Sequence, residues 1–207
     1  MNMIILVHGW NVSDWRSTVG QLRKPFRELG CKVEMLNYGY WPHTWQATKF
    51  NPSVALRLSK RVKHWQDKGY NVDVVGHSNG VAIAYIATKE HGMKVDTLVA
   101  INPALKANLN PSKRSNLVQV WHNDGDRAVI LGKWLRWLTG WTRKARPWGE
   151  MGNEGYTGKD KNVVNFNCSK DFSIKADGHS AVFEAPENDF YLKAIALYCL
   201  QKKKRVE

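Results

Sequence analysis

The stretch Val72–Tyr85, VDVVGHSNGVAIAY, changes its periodicity in the middle. Val72, Val74 and Val75 have the β-branched character of a short buried strand. Val81, Ala82, Ala84, Tyr85 and Ala87 recur at spacings that suit a closely packed helix. Gly76, Ser78 and Gly80 stand between the two patterns. A strand that becomes a helix within a few residues needs a sharp turn, and flanking glycines let backbone approach backbone with no Cβ in the way. Either the glycines are punctuation, or the turn pushes Ser78 out where a substrate can reach its hydroxyl. The elements on either side decide between these readings.

Upstream, Met3–Val7 reads as a strand, Val19–Leu29 as a helix ending near Gly30, and Lys32–Asn37 as a second strand. Val54–Asp67 reads as a helix with Val54, Leu58, Val62 and Trp65 on one face, closed by Lys68-Gly69. Downstream, Gly80–Glu90 is helical, and Val95–Ile101, Leu117–His122 and Val163–Asn167 are short β-branched strands. A last helix spans about Asn188 to Gln201. This alternation predicts a three-layer α/β/α sandwich on a mostly parallel sheet of about six strands. Reactive groups in such sheets collect beyond the carboxyl ends of the strands. The least regular stretches, Tyr38–Ser53 and Gly140–Lys161, both follow elements that end on that edge. No repeat or linker interrupts the chain, and 207 residues suit one core. One domain over residues 1–207 is expected, with a cap or insert at 130–160.

Composition narrows the function classes. No apolar run approaches a membrane span, and Met1–Val7 lacks the basic start of a secretory signal. The three cysteines, Cys31, Cys168 and Cys199, are odd in number and widely spaced, so a reducing cytoplasmic setting is expected. There is no Gly-rich phosphate loop, no Walker motif, no His/Cys/Asp cluster and no nucleic-acid motif, so neither cofactor nor metal is expected. The net charge of +13 stands out. It fits an anionic substrate, a phospholipid surface or nucleic acid, and equally a protein kept soluble by charge.

Four features fall on strand ends: ILVHGWN (Ile5–Asn11), Gly76-His77-Ser78-Asn79-Gly80, VQVWHNDGDRAV (Val118–Val129) and DGHSAVF (Asp177–Phe183). With G-x-S-x-G in a strand–turn–helix setting, His-Gly upstream, and Asp then His downstream, nearly the whole chain resembles an α/β-hydrolase of the compact lipase, cutinase and esterase type. The resemblance implies a Ser-Asp-His triad with Ser78 as nucleophile, Gly76 and Gly80 framing its elbow, and His179 as base, since that histidine alone follows the last strand. The family's acid precedes an apolar residue in the form D-x-x-V, which Asp126-Arg127-Ala128-Val129 matches; Asp124 is the alternative, or a brace for the turn. The position after the preceding strand, an acid in some lipases, reads Asn102-Pro103. The chemistry needs these groups in any case. A serine hydroxyl is a poor nucleophile until a histidine takes its proton, and that histidine needs a carboxylate to fix its tautomer. The backbone amides of Asn79 and Trp10 are the expected oxyanion hole. Many relatives have a second glycine after the elbow, where this chain has Val81.

Two segments bear on substrate. Asn37–Phe50 carries five aromatics that either border the site or cover the sheet end. In Val129–Tyr156, Ile130, Trp134, Trp137, Leu138 and Trp141 share one helical face, with Lys133, Arg136, Arg143, Lys144 and Arg146 around it. That segment is either an ordinary covering helix or an interfacial cap whose rings meet lipid and whose cations meet anionic groups. Lys202–Arg205 reads as a solvated tail. The expected activity is hydrolysis of a small-molecule or lipid-like ester; amide and thioester cleavage use the same groups. A silent basic protein on this scaffold, binding nucleic acid or anionic membrane, is the contrasting class.

Overall fold

The computed structural model describes residues 1–10, 15–40, 44–126, 148–172, 178–185 and 188–201. Six strands form one sheet: β1 (Asn2–Val7), β2 (Lys32–Leu36), β3 (Asn71–His77), β4 (Thr97–Ile101), β5 (Leu117–His122) and β6 (Val163–Asn167). Their order is β2-β1-β3-β4-β5-β6, and every neighbouring pair is parallel. β1, β3 and β4 are buried almost end to end, which is why they read as continuous apolar runs. Successive side chains still divide between the faces. Ile5, Val7 and Val74 enter one core with Val54, Leu58 and Ile83, while Ile4, Leu6 and Val75 enter the other with Phe26, Phe183 and Ile195.

The first core is covered by α2 (Thr44–Asp67) and α3 (Asn79–His91), and the second by α1 (Arg23–Glu28) and the C-terminal helices. After β1 the chain moves outward to β2, then returns across the sheet to β3. The strand order therefore reverses between β1 and β3, where Val7 lies opposite Gly76. A crevice opens at the carboxyl ends of such a pair.

Two helices depart from their expected bounds. The expected helix Val19–Leu29 is a 3₁₀ turn, Val19–Leu22, followed by α1. Pro25 sits in the first turn of α1, where no backbone N–H is needed. α2 begins at Thr44, well before Val54, and carries Pro52 inside it. A proline reads as a breaker in sequence. Here the helix continues across it because Ala47 and Asn51 are buried together with Val54 and Leu58.

Residues 148–160 are held to the β4–β5 connection: α4 (Met151–Glu154) donates from the Met151 and Gly152 N–H groups to the carbonyls of Leu105 and Pro103, both at 2.9 Å. Met151 and Tyr156 are buried in the α2–α3 core. The remainder of the expected cap, with the Trp-rich face and its cations, lies outside the described residues, as does Lys202–Arg205. Three short or terminal helices follow: α5 (Cys168–Asp171), α6 (Ala181–Glu184) and α7 (Asn188–Gln201). No helix among the described residues is long and apolar enough to cross a membrane.

Candidate active site

β3 ends at His77 and α3 begins at Asn79, so Ser78 alone makes the turn. Its φ of 53° and ψ of −119° are unfavourable for a residue with a Cβ. Neighbouring backbone holds it there. The Ser78 N–H donates to the Ile101 carbonyl at 3.0 Å, and its own carbonyl accepts from Val81 and Ala104 at 3.1 and 3.3 Å. The glycines make room for this turn. A Cβ on Gly80 would lie 2.4 Å from the Val7 carbonyl oxygen and 2.8 Å from that of His8. One on Gly76 would meet the Val81 nitrogen at 3.0 Å, and one on Gly9 would meet Ser78 Cβ at 3.1 Å. Gly80→Ala is therefore expected to cost about 3 kcal/mol of stability or more, because the obstructing atoms are backbone. Urea denaturation measures this, and a loss under about 1 kcal/mol would contradict the close approach.

Beyond β5, Asp126 is wholly buried, and His179 approaches it from the segment before α6. The Nδ1–H of His179 donates to Asp126 Oδ2 at 2.7 Å. The same oxygen accepts from Nδ2 of Asn102 at 3.1 Å, with Asn102 itself in the left-handed region at φ 40°. A carboxylate on Nδ1 leaves the neutral ring's lone pair on Nε2. Asp124 turns elsewhere: it pairs with Lys170 at 3.2 Å and accepts from Asn167 at 2.9 Å, bracing the turn against α5. Of the two carboxylates in this loop, Asp126 is the one that meets His179.

No protein-family model and no curated protein sequence matches the chain. Solved structures do. A protein of Xanthomonas campestris pv. campestris from the α/β superfamily of hydrolases aligns over 98% of this chain and 99% of its own, with a TM-score of 0.57 at 18% identity. An α/β serine hydrolase without a lid, also from Xanthomonas campestris, aligns over 97% and 82% with a TM-score of 0.54 at 14% identity. An esterase of Pyrococcus furiosus aligns over 95% and 82% with a TM-score of 0.59 at 13% identity. The chain has the α/β-hydrolase fold.

Within this α/β-hydrolase fold, the groups around the elbow are tied together by contacts that motif reading did not find. Asn79 is buried, and its side-chain amide pairs reciprocally with that of Asn51, at 2.8 and 3.1 Å. Asn79 Oδ1 also accepts from the Trp148 indole at 3.2 Å, and its Nδ2 reaches the Tyr38 hydroxyl at 3.3 Å. That hydroxyl donates to the carbonyls of His8 and Gly9, at 2.9 and 2.7 Å. The Tyr38 and His8 rings stack at 3.9 Å. Since His8 Nε2 accepts the Tyr38 backbone N–H at 3.3 Å, its proton sits on Nδ1 and is given to the Gly9 carbonyl at 2.8 Å. The network locks the His8-Gly9-Trp10 turn against the start of α3. Trp10 is partly exposed, and its indole nitrogen has no partner among the described residues. The Asn79 backbone N–H heads a thirteen-residue helix, where no intrahelical acceptor exists for it. Of the aromatics after β2, Tyr38 braces this turn, whereas Tyr40 is exposed.

His77 and His122 serve differently from His179. His77 is buried, packs edge-on against Phe183 at 5.1 Å, and donates from Nε2 to the His179 carbonyl at 3.1 Å. His122 donates from Nδ1 to the Asn153 carbonyl at 3.1 Å. Burial lowers the pKa of His8, His77 and His122 below the usual 6.5, in His77 to about 3, where the nearby His179 adds to the effect. All three are held neutral in a folded chain that binds fewer protons than the unfolded one. Their contribution is intact above pH 6.5 and is lost as pH falls. For His77 the slope is about 1.4 kcal/mol per pH unit down towards pH 3. Denaturation midpoints that stay flat from pH 6.5 to 4.5 would contradict this.

Proposed function

We propose that the protein is a serine hydrolase that cleaves a carboxylic ester through an acyl-enzyme on Ser78. The observation that carries the reading is the hydrogen bond from His179 to the buried carboxylate of Asp126 at 2.7 Å, in a fold whose strained elbow presents Ser78. In this reading Ser78 Oγ attacks the acyl carbonyl while His179 Nε2 takes its proton. Asp126 holds the ring in the Nδ1–H tautomer and stabilises the imidazolium. The backbone N–H groups of Asn79 and Trp10 receive the oxyanion, one good donor being worth about 3–4 kcal/mol. His179 then returns the proton to the departing alcohol, and water enters by the same route in reverse, releasing the acid and freeing Ser78. The serine hydrolase and the esterase among the structural neighbours support the class of reaction.

A carboxylesterase or lipase acting on a small-molecule or lipid-like ester is the form this activity takes. The net charge of +13 favours esters that carry an anionic group or sit in an anionic surface. A panel of p-nitrophenyl esters of rising chain length tests the reading. The expected result is turnover with an acyl preference along the series, and a pre-steady-state burst wherever deacylation is slow. Absence of turnover on every ester, at substrate concentrations where related esterases saturate, would overturn it.

A further inference from the structure

We infer that His77 is a positioning residue that clamps the segment bearing the base to the elbow bearing the nucleophile. The inference rests on the proposed reading of Ser78 and His179. His77 is the last residue of β3 and is bonded covalently to Ser78. Its Nε2–H reaches the main-chain carbonyl of His179, 102 residues further along the chain, at 3.1 Å. The two imidazole rings lie 5.1 Å apart, inclined by 37°, so His77 also lies against the base. Phe183, in the helix after the base, closes its other side edge-on. Ser78 and His179 must stay aligned within a fraction of an ångström for proton transfer, and a misplacement of about 1 Å can cost 10²-fold in rate.

A residue that merely filled this space would serve better as an apolar one. His77 is 2% exposed, and its Nδ1 is buried with no hydrogen-bond partner among the described residues. Burying an unpaired polar atom is unfavourable. What the imidazole adds over phenylalanine or leucine here is the Nε2–H, and that donor goes to the base's own backbone. The ring is also neutral, so no second cation stands beside His179 when it takes up the serine proton. The titratable groups around it are His179, Asp126 and His8.

The experiment compares His77→Phe, which keeps a ring and loses the donor, with His77→Gln, whose amide places an N–H near the Nε2 position. His77→Asn, which is too short to reach the carbonyl, completes the set. Active sites are counted with a fluorophosphonate, and kcat is expressed per titrated site on a p-nitrophenyl ester. The expected result is a fall in kcat of about 10- to 100-fold for Phe and Asn, KM within about threefold of wild type, and recovery in Gln to within about threefold. If Phe fails to fold, the Gln–Asn difference decides. Equal kcat per titrated site in wild type, Asn and any folded Phe variant would overturn the clamp, even with a lowered Tm. An inactive wild type would remove the proposed activity and the clamp together, whereas an active wild type with indifferent variants removes the clamp alone.

Discussion

Ser78→Ala is expected to lower ester hydrolysis by roughly 10³-fold or more while leaving the protein folded. The loss follows from removing the only atom that would be acylated. Retention of the fold follows from the local contacts. Ser78 is held by its backbone N–H and carbonyl, which alanine keeps, and its hydroxyl makes no capping bond to α3. Alanine meets the same conformational restriction at φ 53° as serine does, so stability should stay within about 0.5 kcal/mol. Initial rates and thermal melts on the same preparation check both halves. A mutant within tenfold of wild type would mean that Ser78 is not the nucleophile.

Asp126→Asn should be comparably damaging, by something like 10⁴-fold in kcat, with little change in KM. Asp126 Oδ2 receives two donors, His179 Nδ1–H and Asn102 Nδ2–H, which suits a carboxylate. An asparagine that turns its NH₂ towards His179 drives the ring proton to Nε2, the tautomer that cannot accept from serine. Asp124→Asn is the paired control. It weakens an exposed contact with Lys170 and a bond from Asn167, and exposed ion pairs contribute about 0–1 kcal/mol. Its kcat should stay within a few-fold of wild type. The reverse ordering would place the acid two residues earlier in the loop than His179's partner.

The parts of the fold that were legible in sequence are those whose signal is local. Most strands are short runs rich in β-branched residues, and Gly76-His77-Ser78-Asn79-Gly80 joins a strand to a helix in five residues. Gly80 was legible because only glycine lets α3 approach the Val7 carbonyl so closely. The start of α2 was not, because Pro52 looks like a boundary and the burial of Asn51 that overrides it depends on Asn79 in another element. The Tyr38–Asn79–Asn51–Trp148 network was hidden for the same reason: its partners lie 28 to 69 residues apart and carry no shared motif. The bond from His77 was harder still, since its acceptor is a main-chain carbonyl, a group that every residue has. The ring of His77 lies 5.1 Å from that of His179.

The most direct test of the account is covalent. Wild-type protein is treated with a fluorophosphonate, the intact mass is measured, and the modified peptide is sequenced by tandem mass spectrometry. The account predicts one adduct per chain, on the Ser78 hydroxyl, absent from Ser78→Ala and formed much more slowly in Asp126→Asn. No adduct on the folded wild-type protein, or an adduct on any other residue, would contradict the assignment of Ser78 as an activated nucleophile.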